Sequence, residues 1–339
     1  MNRTFKIERG EKNFLFFYAS KIIIMDEQPT ISDIALANSL EGHEGPVTTI
    51  KYSKDQRYII SASQDTTIRI WSSATCKEIT KLEAHTGSVN DFAIGKDDKK
   101  LLTGGSDQSL YYWDLQKGDL IRQIRAHSEK VNSVCLSEDG SIAISGSFDS
   151  TAKIWDLRTN SLFPVQILSD SKDSITCVQA GRYEIFTTSM DGKLRNYDIR
   201  AGCLTVDQFS SPLNYFELNS LQQILLLSTM NSRIYSFSKS NGKKYQVYKG
   251  HKCAEYNIKC RFAGNEGSVI SGSEEGEVFL WDLVDGFVIH RFSYGSGPIL
   301  DVEVNDPFTT ILVASSDSTI GIYKSLPKQT ENTQQVPLI

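Results

Sequence analysis

From Val47 onward, short apolar runs alternate with polar breaks. VTTIKYS, YIISAS, TIRIW and EITKL are rich in β-branched residues, and KDQ, QDT and SATCK, which separate them, supply turn residues. Period-two runs of this length, bounded by turn residues, predict four short strands joined by tight connections. The rest of the chain repeats the pattern, and nowhere does a helix-period run of ten or more residues appear.

The runs recur with a period. Steps of 42 from Trp71 reach Trp113, Trp155 and Tyr197, and further steps of 40, 44 and 42 reach Phe237, Trp281 and Tyr323. Six residues before each of these seven aromatics stand Asp65, Asp107, Asp149, Asp191, Asn231, Glu275 and Asp317. His43, His85 and His127 lie 22 residues before the first three acids, and His251 lies 24 before Glu275. A repeat of this length with these landmarks is the mark of a propeller whose blades are four-stranded sheets. It resembles the WD40 repeat, with Trp-Asp kept at Trp113, Trp155 and Trp281 and Tyr-Asp at Tyr197.

The resemblance implies a hydrogen-bonded set in each blade, running from the His through a second-strand Ser or Thr and the turn Asp to the third-strand Trp. A turn Asp can accept from backbone N–H groups and orient the ring, and a buried indole N–H needs a partner. The expected members are His43, Asp65 and Trp71; His85, Asp107 and Trp113; His127, Asp149 and Trp155; Asp191 and Tyr197; and His251, Glu275 and Trp281. Copies four, five and seven lack one or more members, so packing is expected to hold them and they are expected to open more easily.

The seventh copy has only three strands before the polar tail SLPKQTENTQQVPLI. Ile34–Leu40 occupies the place of a last strand, and pairing it with copy seven would close the ring without an open sheet edge. The expected fold is therefore all-β, a seven-bladed propeller over residues 34–324. Residues 1–33 are expected to form a disordered or capping extension, and residues 325–339 a flexible tail.

Composition changes this picture little. With 36 Lys and Arg against 41 Asp and Glu, a net charge of −5 gives no general attraction for nucleic acid or anionic membranes. The run Phe14–Met25 is interrupted by Lys21 and is too short to span a bilayer, and it makes a poor secretory signal, so a soluble intracellular chain is expected. Six cysteines without a C-x-x-C pair read as buried free thiols, and Cys253, Cys260 and His251 are too few to specify zinc. Only His290 stands outside the repeat, with no nucleophile or carboxylate at a recognisable spacing, so neither an enzyme, a metal nor a cofactor is expected. Arg69, Lys153, Arg195 and Arg233 fall at matching positions and would form a partial basic ring if they do not pair with carboxylates, which leaves direct RNA contact as a secondary possibility.

Several stretches resemble one family more closely, the mitogen-activated protein kinase organisers, also counted among spliceosome-associated proteins. They are SGSFDSTAKIWDLR with the following PVQIL, SMDGKLRNYDIRAG, SSPL, YKGHKCAEYNIKC and GEVFLWDLVDG, and the resemblance spans about residues 38 to 323. It implies a non-enzymatic scaffold, found in nucleus and cytoplasm and monomeric by itself. The first role expected is in a splicing complex, with its proteins as partners, and the alternative is a kinase cascade whose components it would hold. Partner contacts are expected where large apolar residues precede the turn acid, at Phe148, Met190 and Met230, unless some of them fold inward to plug the channel, with Glu255, Tyr256 and Tyr294 as a rim. Arg158 and Arg200, three residues beyond Trp155 and Tyr197, resemble the W-D-x-R arrangement of adaptors for cullin ubiquitin ligases.

Overall fold

A computed structural model describes residues 33–137, 139–305 and 309–326. They form seven antiparallel sheets of four strands each. In the first blade these strands are Val47–Tyr52, Tyr58–Ser63, Thr67–Ser72 and Glu78–Glu83, the four runs read from the sequence. Burial falls from the middle of the blade outward: the third strand is buried over its first five residues, whereas the fourth buries only Leu82.

The first strands of successive blades touch one another in order. They are Val47–Tyr52, Val89–Ile94, Val131–Leu136, Ile175–Ala180, Leu213–Leu218, Cys260–Ala263 and Ile299–Val304, and the last touches the first again. The ring is closed. Its seal is the strand Asp33–Leu40, antiparallel to Ile320–Leu326, with Leu36 opposite Tyr323 and Leu40 opposite Ile320. The N-terminal strand thus completes the seventh blade, as its position predicts. The expectations for residues 1–32 and 327–339 lie outside the described residues.

The aromatic period has a packing cause. Trp71 is buried among Leu312, Ala314, Ile320 and Ile322 of the preceding blade, and Trp113 among Ile60, Ala62 and Ile68 of blade one. Trp155 and Trp281 repeat this against blades two and five, as do Phe237 against blade four and Tyr323 against blade six. One large ring per blade therefore plugs the next interface round the toroid. Removing such a ring typically costs about 3–5 kcal/mol.

The turn between second and third strands has its own rule. The residue after each turn acid or amide is left-handed, with φ between 60° and 75° at Thr66, Gln108, Ser150, Gly192, Ser232, Gly276 and Ser318. Only blades four and six use glycine there, so elsewhere the acid or amide must compensate for the strain. Asp65 does so by accepting the backbone N–H of Thr67 at 2.9 Å and its hydroxyl at 2.7 Å.

Candidate functional site

Blades one to three carry complete polar sets. In blade one, Asp65 Oδ2 lies 2.8 Å from His43 Nδ1, Ser61 Oγ lies 2.8 Å from His43 Nε2, and the Trp71 indole N–H donates to Ser61 Oγ at 2.9 Å. His85, Asp107, Thr103 and Trp113 repeat the arrangement, as do His127, Asp149, Ser145 and Trp155, with all six distances between 2.8 and 3.1 Å. A carboxylate can only accept, so the Nδ1–H donates to Asp and Nε2 accepts from the hydroxyl, which in turn accepts from the indole. Both ring nitrogens, the hydroxyl and the indole N–H of each set are thus partnered within its blade. Burial would raise the Asp65 pKa, but hydrogen bonds from Thr67 and His43 outweigh it and hold the group at about 2. Burial lowers His43 and His127 against the pull of their Asp partners.

The remaining blades differ from the sequence expectation in instructive ways. In blade four the missing His is replaced by Arg195, 1% exposed, whose guanidinium donates to Asp191 Oδ2 at 2.5 Å, to Ser189 Oγ at 2.7 Å and to the Asp170 carbonyl at 3.1 Å. Tyr197 takes the Trp position and donates to Asp170 Oδ2 at 3.1 Å. Arg195 is therefore a fastener and no part of a basic ring, and blade four is held by more than packing. Arg69 is likewise buried and paired with Glu78, and Lys153 Nζ is spent on the Ala126 carbonyl at 2.8 Å.

Blade six departs in the opposite direction. Glu275 is exposed and does not reach His251, whose two ring nitrogens have no hydrogen-bond partner although the residue is buried. The Trp281 indole donates to the Lys249 carbonyl at 3.0 Å instead. The leading loop is two residues longer here, and Glu274 rather than Glu275 takes up its amides, accepting from Ala254, Glu255 and Tyr256 at 2.6, 2.6 and 3.1 Å. Burial pushes the His251 pKa down to about 4.

Tyr294 also corrects its expected place. It is 9% exposed, and its hydroxyl donates to Thr319 Oγ1 at 2.9 Å and lies 3.1 Å from Ser39 Oγ. Ser39 belongs to the closing strand. Tyr294 therefore ties the ring shut in a blade that lacks a His, and it does not line the rim.

On the loop rim, Phe148, Met190 and Met230 occupy the same turn position. Their backbone N–H groups donate to the Lys130, Ser174 and Pro212 carbonyls at 3.0, 3.0 and 3.1 Å, which fastens each turn to the leading loop of its blade. Phe148 is 50% exposed, with Lys130 Nζ 4.8 Å from its ring centre, and Met190 and Met230 are half-buried. Glu255 and Tyr256 are exposed on the loop organised by Glu274. Arg158 pairs with Asp156 at 2.9 Å, and the Arg200 guanidinium stacks 3.3 Å above the Tyr183 ring, so both arginines are held within their own blades.

Sequence reading missed the channel. Lys259 of blade six reaches Asp91 of blade two at 2.8 Å and Thr49 of blade one at 2.8 Å. Arg261 pairs with Asp301 at 3.0 Å and with Glu303 at 2.8 Å, and Asp301 also accepts the Ile50 N–H at 3.0 Å. Blades six, seven, one and two are thus tied across the axis by charges in the first strands. The only signal was acidic or basic residues inside apolar runs such as VNDFAI and ILDVEV. Beside this cluster, burial pushes the Glu217 pKa up to about 8.

Among the described residues no group of three or more His, Cys, Asp or Glu is placed to hold a metal ion, and no helix is long and apolar enough to cross a membrane. The run Phe14–Met25 lies outside the described residues. Cys177, Cys253 and Cys260 are buried free thiols, whereas Cys203 is exposed, contrary to the general expectation of burial.

Fold and repeat define the chain as a seven-bladed WD40 propeller, and the description "WD domain, G-beta repeat" matches residues 35–72, 76–114, 118–156 and 242–282. Among curated proteins it is similar to an uncharacterised WD repeat-containing protein of Schizosaccharomyces pombe, 34% identical over 39% of this chain and 44% of the relative. It is also similar to human WD repeat domain-containing protein 83, 33% identical over 36% of this chain and 39% of the relative. A third relative, pre-mRNA-processing factor 17 of Saccharomyces cerevisiae, is 29% identical over 32% of this chain and 24% of its own length. The matched stretches thus span less than half of each of these relatives.

Proposed function

We propose that this propeller is a protein-interaction scaffold that organises a mitogen-activated protein kinase module, with partners held on the loop rim at Phe148, Met190 and Met230. The observation that carries the reading is the placement of large apolar side chains at one turn position in three successive blades, with Phe148 half exposed. Exposed apolar residues on rigid turns are what interface anchors look like, and preformed loops lose little freedom on docking. The kinase assignment is supported by the stretches in blades three to six that resemble the kinase organisers, and by similarity to WD repeat domain-containing protein 83 from several animals.

A second reading, a component of a splicing complex, is supported by the likeness to a pre-mRNA-processing factor. Either role would place the protein in nucleus or cytoplasm, with protein partners first and RNA contact second. A ligase-adaptor role is the third reading and would require Arg158 to exchange Asp156 for a partner group.

Affinity purification from native extract at moderate salt, with and without ribonuclease, separates these readings. Kinases and their upstream adaptors in the eluate support the first, whereas splicing proteins that survive nuclease would replace it with the second. Cullin-ligase components would replace it with the third.

A further inference from the structure

Blade five keeps the geometry of the polar set and loses its chemistry. Phe209 stands 22 residues before Asn231, at the place of the His, and meets Phe237 edge-on with ring centres 5.6 Å apart, as His43 meets Trp71 at 6.2 Å. A phenyl ring offers the turn no hydrogen bond. Instead Asn231 Nδ2 donates to Ser211 Oγ at 2.8 Å, an exposed contact, and the Met230 N–H donates to the Pro212 carbonyl at 3.1 Å. In blade one, by contrast, Asp65 takes both the His43 ring and the Glu44 N–H. The leading loop of blade five therefore opens locally more easily than that of blade one. Ser211 on this loop precedes Pro212, and none of the chain's other prolines follows a serine or threonine. Proline restricts the residue before it to extended backbone, the form in which a protein kinase takes its substrate. Pro212 is exposed and Ser211 half-buried. The Ser211 hydroxyl is the acceptor in its contact with Asn231, so that contact does not occupy its proton.

We infer that Ser211 is a phosphorylation site for a proline-directed protein kinase, and that Asn231 and Arg233 hold the phosphate once it is attached. Arg233 is exposed and stands two residues after the turn amide. At the same position of blades one and three, Thr67 and Thr151 bring their hydroxyls within 3.4 and 3.3 Å of the His ring on the leading loop. A longer cationic side chain placed there reaches a group carried on Ser211. The flanking acids do not oppose it: Asp191, across Gly192 from the Ser211 carbonyl, is already paired with Arg195, and Asp207 is half-buried on the preceding strand. In the step itself, Ser211 Oγ attacks the γ-phosphorus of ATP, the bond from that phosphorus to the β–γ bridging oxygen breaks, the hydroxyl proton passes to the kinase's base, and ADP leaves. The product carries a charge of about −1.5 to −2 and three acceptor oxygens, which Asn231 Nδ2 and the Arg233 guanidinium meet as charge-assisted hydrogen bonds. The inference deepens the kinase-module reading and rests on it for the identity of the kinase, since mitogen-activated protein kinases are proline-directed.

The test incubates the full, folded chain with ATP and an active mitogen-activated protein kinase and maps the product by mass spectrometry. Ser211 should carry the phosphoryl group. Pro212→Ala, which keeps the hydroxyl, should lose most of that incorporation, and Ser211→Ala should leave the loop unmodified, both in protein that keeps its Tm. Phosphorus NMR of the modified chain should then give a second phosphate pKa below the ordinary value of about 6, and Arg233→Ala should bring it back up. An unmodified Ser211 in the folded chain, incorporation that Pro212→Ala does not lower, or a phosphate whose pKa ignores Arg233 would each overturn the inference. If kinases are found in the eluate from native extract while Ser211 stays unmodified, the phosphorylation inference falls and the kinase reading stands. If Ser211 is modified and the eluate holds no kinase, the site stands and the kinase reading falls.

Discussion

Ser61 shows how a single residue serves several others. Its hydroxyl lies between the His43 ring and the Trp71 indole, both buried, so Ser61→Ala strands a ring nitrogen and an indole N–H together. Each buried polar group left unpaired costs about 1–3 kcal/mol. Urea unfolding of Ser61→Ala should show a loss of at least about 2 kcal/mol, whereas Glu275→Gln, at an exposed residue outside any such set, should stay within about 0.5 kcal/mol. Equal losses would mean that blade six uses its acid after all. Protonation acts at two further residues. His251 has a folded pKa of about 4 against an ordinary 6.5, so the unfolded chain binds the extra proton between these values and stability falls as pH drops through that window. Glu217, at about 8 against an ordinary 4.5, binds a proton in the folded chain that the unfolded chain has released, so stability falls as pH rises through that window. Compared with the parent chain, His251→Gln should lose less stability as pH drops below 6.5, and Glu217→Gln less as pH rises from 4.5 towards 8, in melting curves taken across that range; unchanged pH dependence in either variant would contradict the assignment. The blade sets of His43, His85 and His127 were legible because their members recur at fixed offsets. Arg195 was not, because it reaches Asp191 from the third strand rather than from the leading loop. The Lys259–Asp91 pair was hidden for a different reason: its partners are 168 residues apart, and no single repeat contains both.

Among the elements, the closing strand has the largest consequence for its length. Asp33–Leu40 pairs along Ile320–Leu326, and Leu40, 2% exposed, enters the core with Val47, Ile50 and Trp71. Removing residues 34–40 would open a sheet edge and empty that core position, and the loss of a buried Leu side chain alone costs about 2–5 kcal/mol. The deletion should lower Tm by about 4 °C or more, since 1 kcal/mol shifts Tm by about 2–4 °C in domains of about 150–250 residues. Deleting residues 328–339 should leave it within about 2 °C. Equal melting temperatures would show that the ring closes some other way. This strand was legible because its run stands where every other copy has its last strand. What the sequence hid is that Tyr294 fastens it to the seventh blade through Ser39 and Thr319, in place of a His set.

For the whole molecule, the recurring polar side chains hold the toroid together, the channel charges tie its blades across the axis, and one arc of the loop rim is proposed to engage partners. The rigid ring was legible from periodicity alone, because one large aromatic per repeat must fill one interface per blade. The rim's proposed role was legible only as exposed apolar chemistry, since a turn's sequence does not say what covers it. The account therefore separates two sets of residues, and the direct measurement is a crossed one: Tm and retention of native partners, determined together for Ser61→Ala and for the variant with Phe148, Met190 and Met230 changed to Ser. The first should melt earlier and, while folded, retain its partners; the second should keep its Tm and lose them. A rim variant that melts early with partners retained, or a Ser61 variant that keeps its Tm and loses them, would contradict the division between fasteners and docking surface.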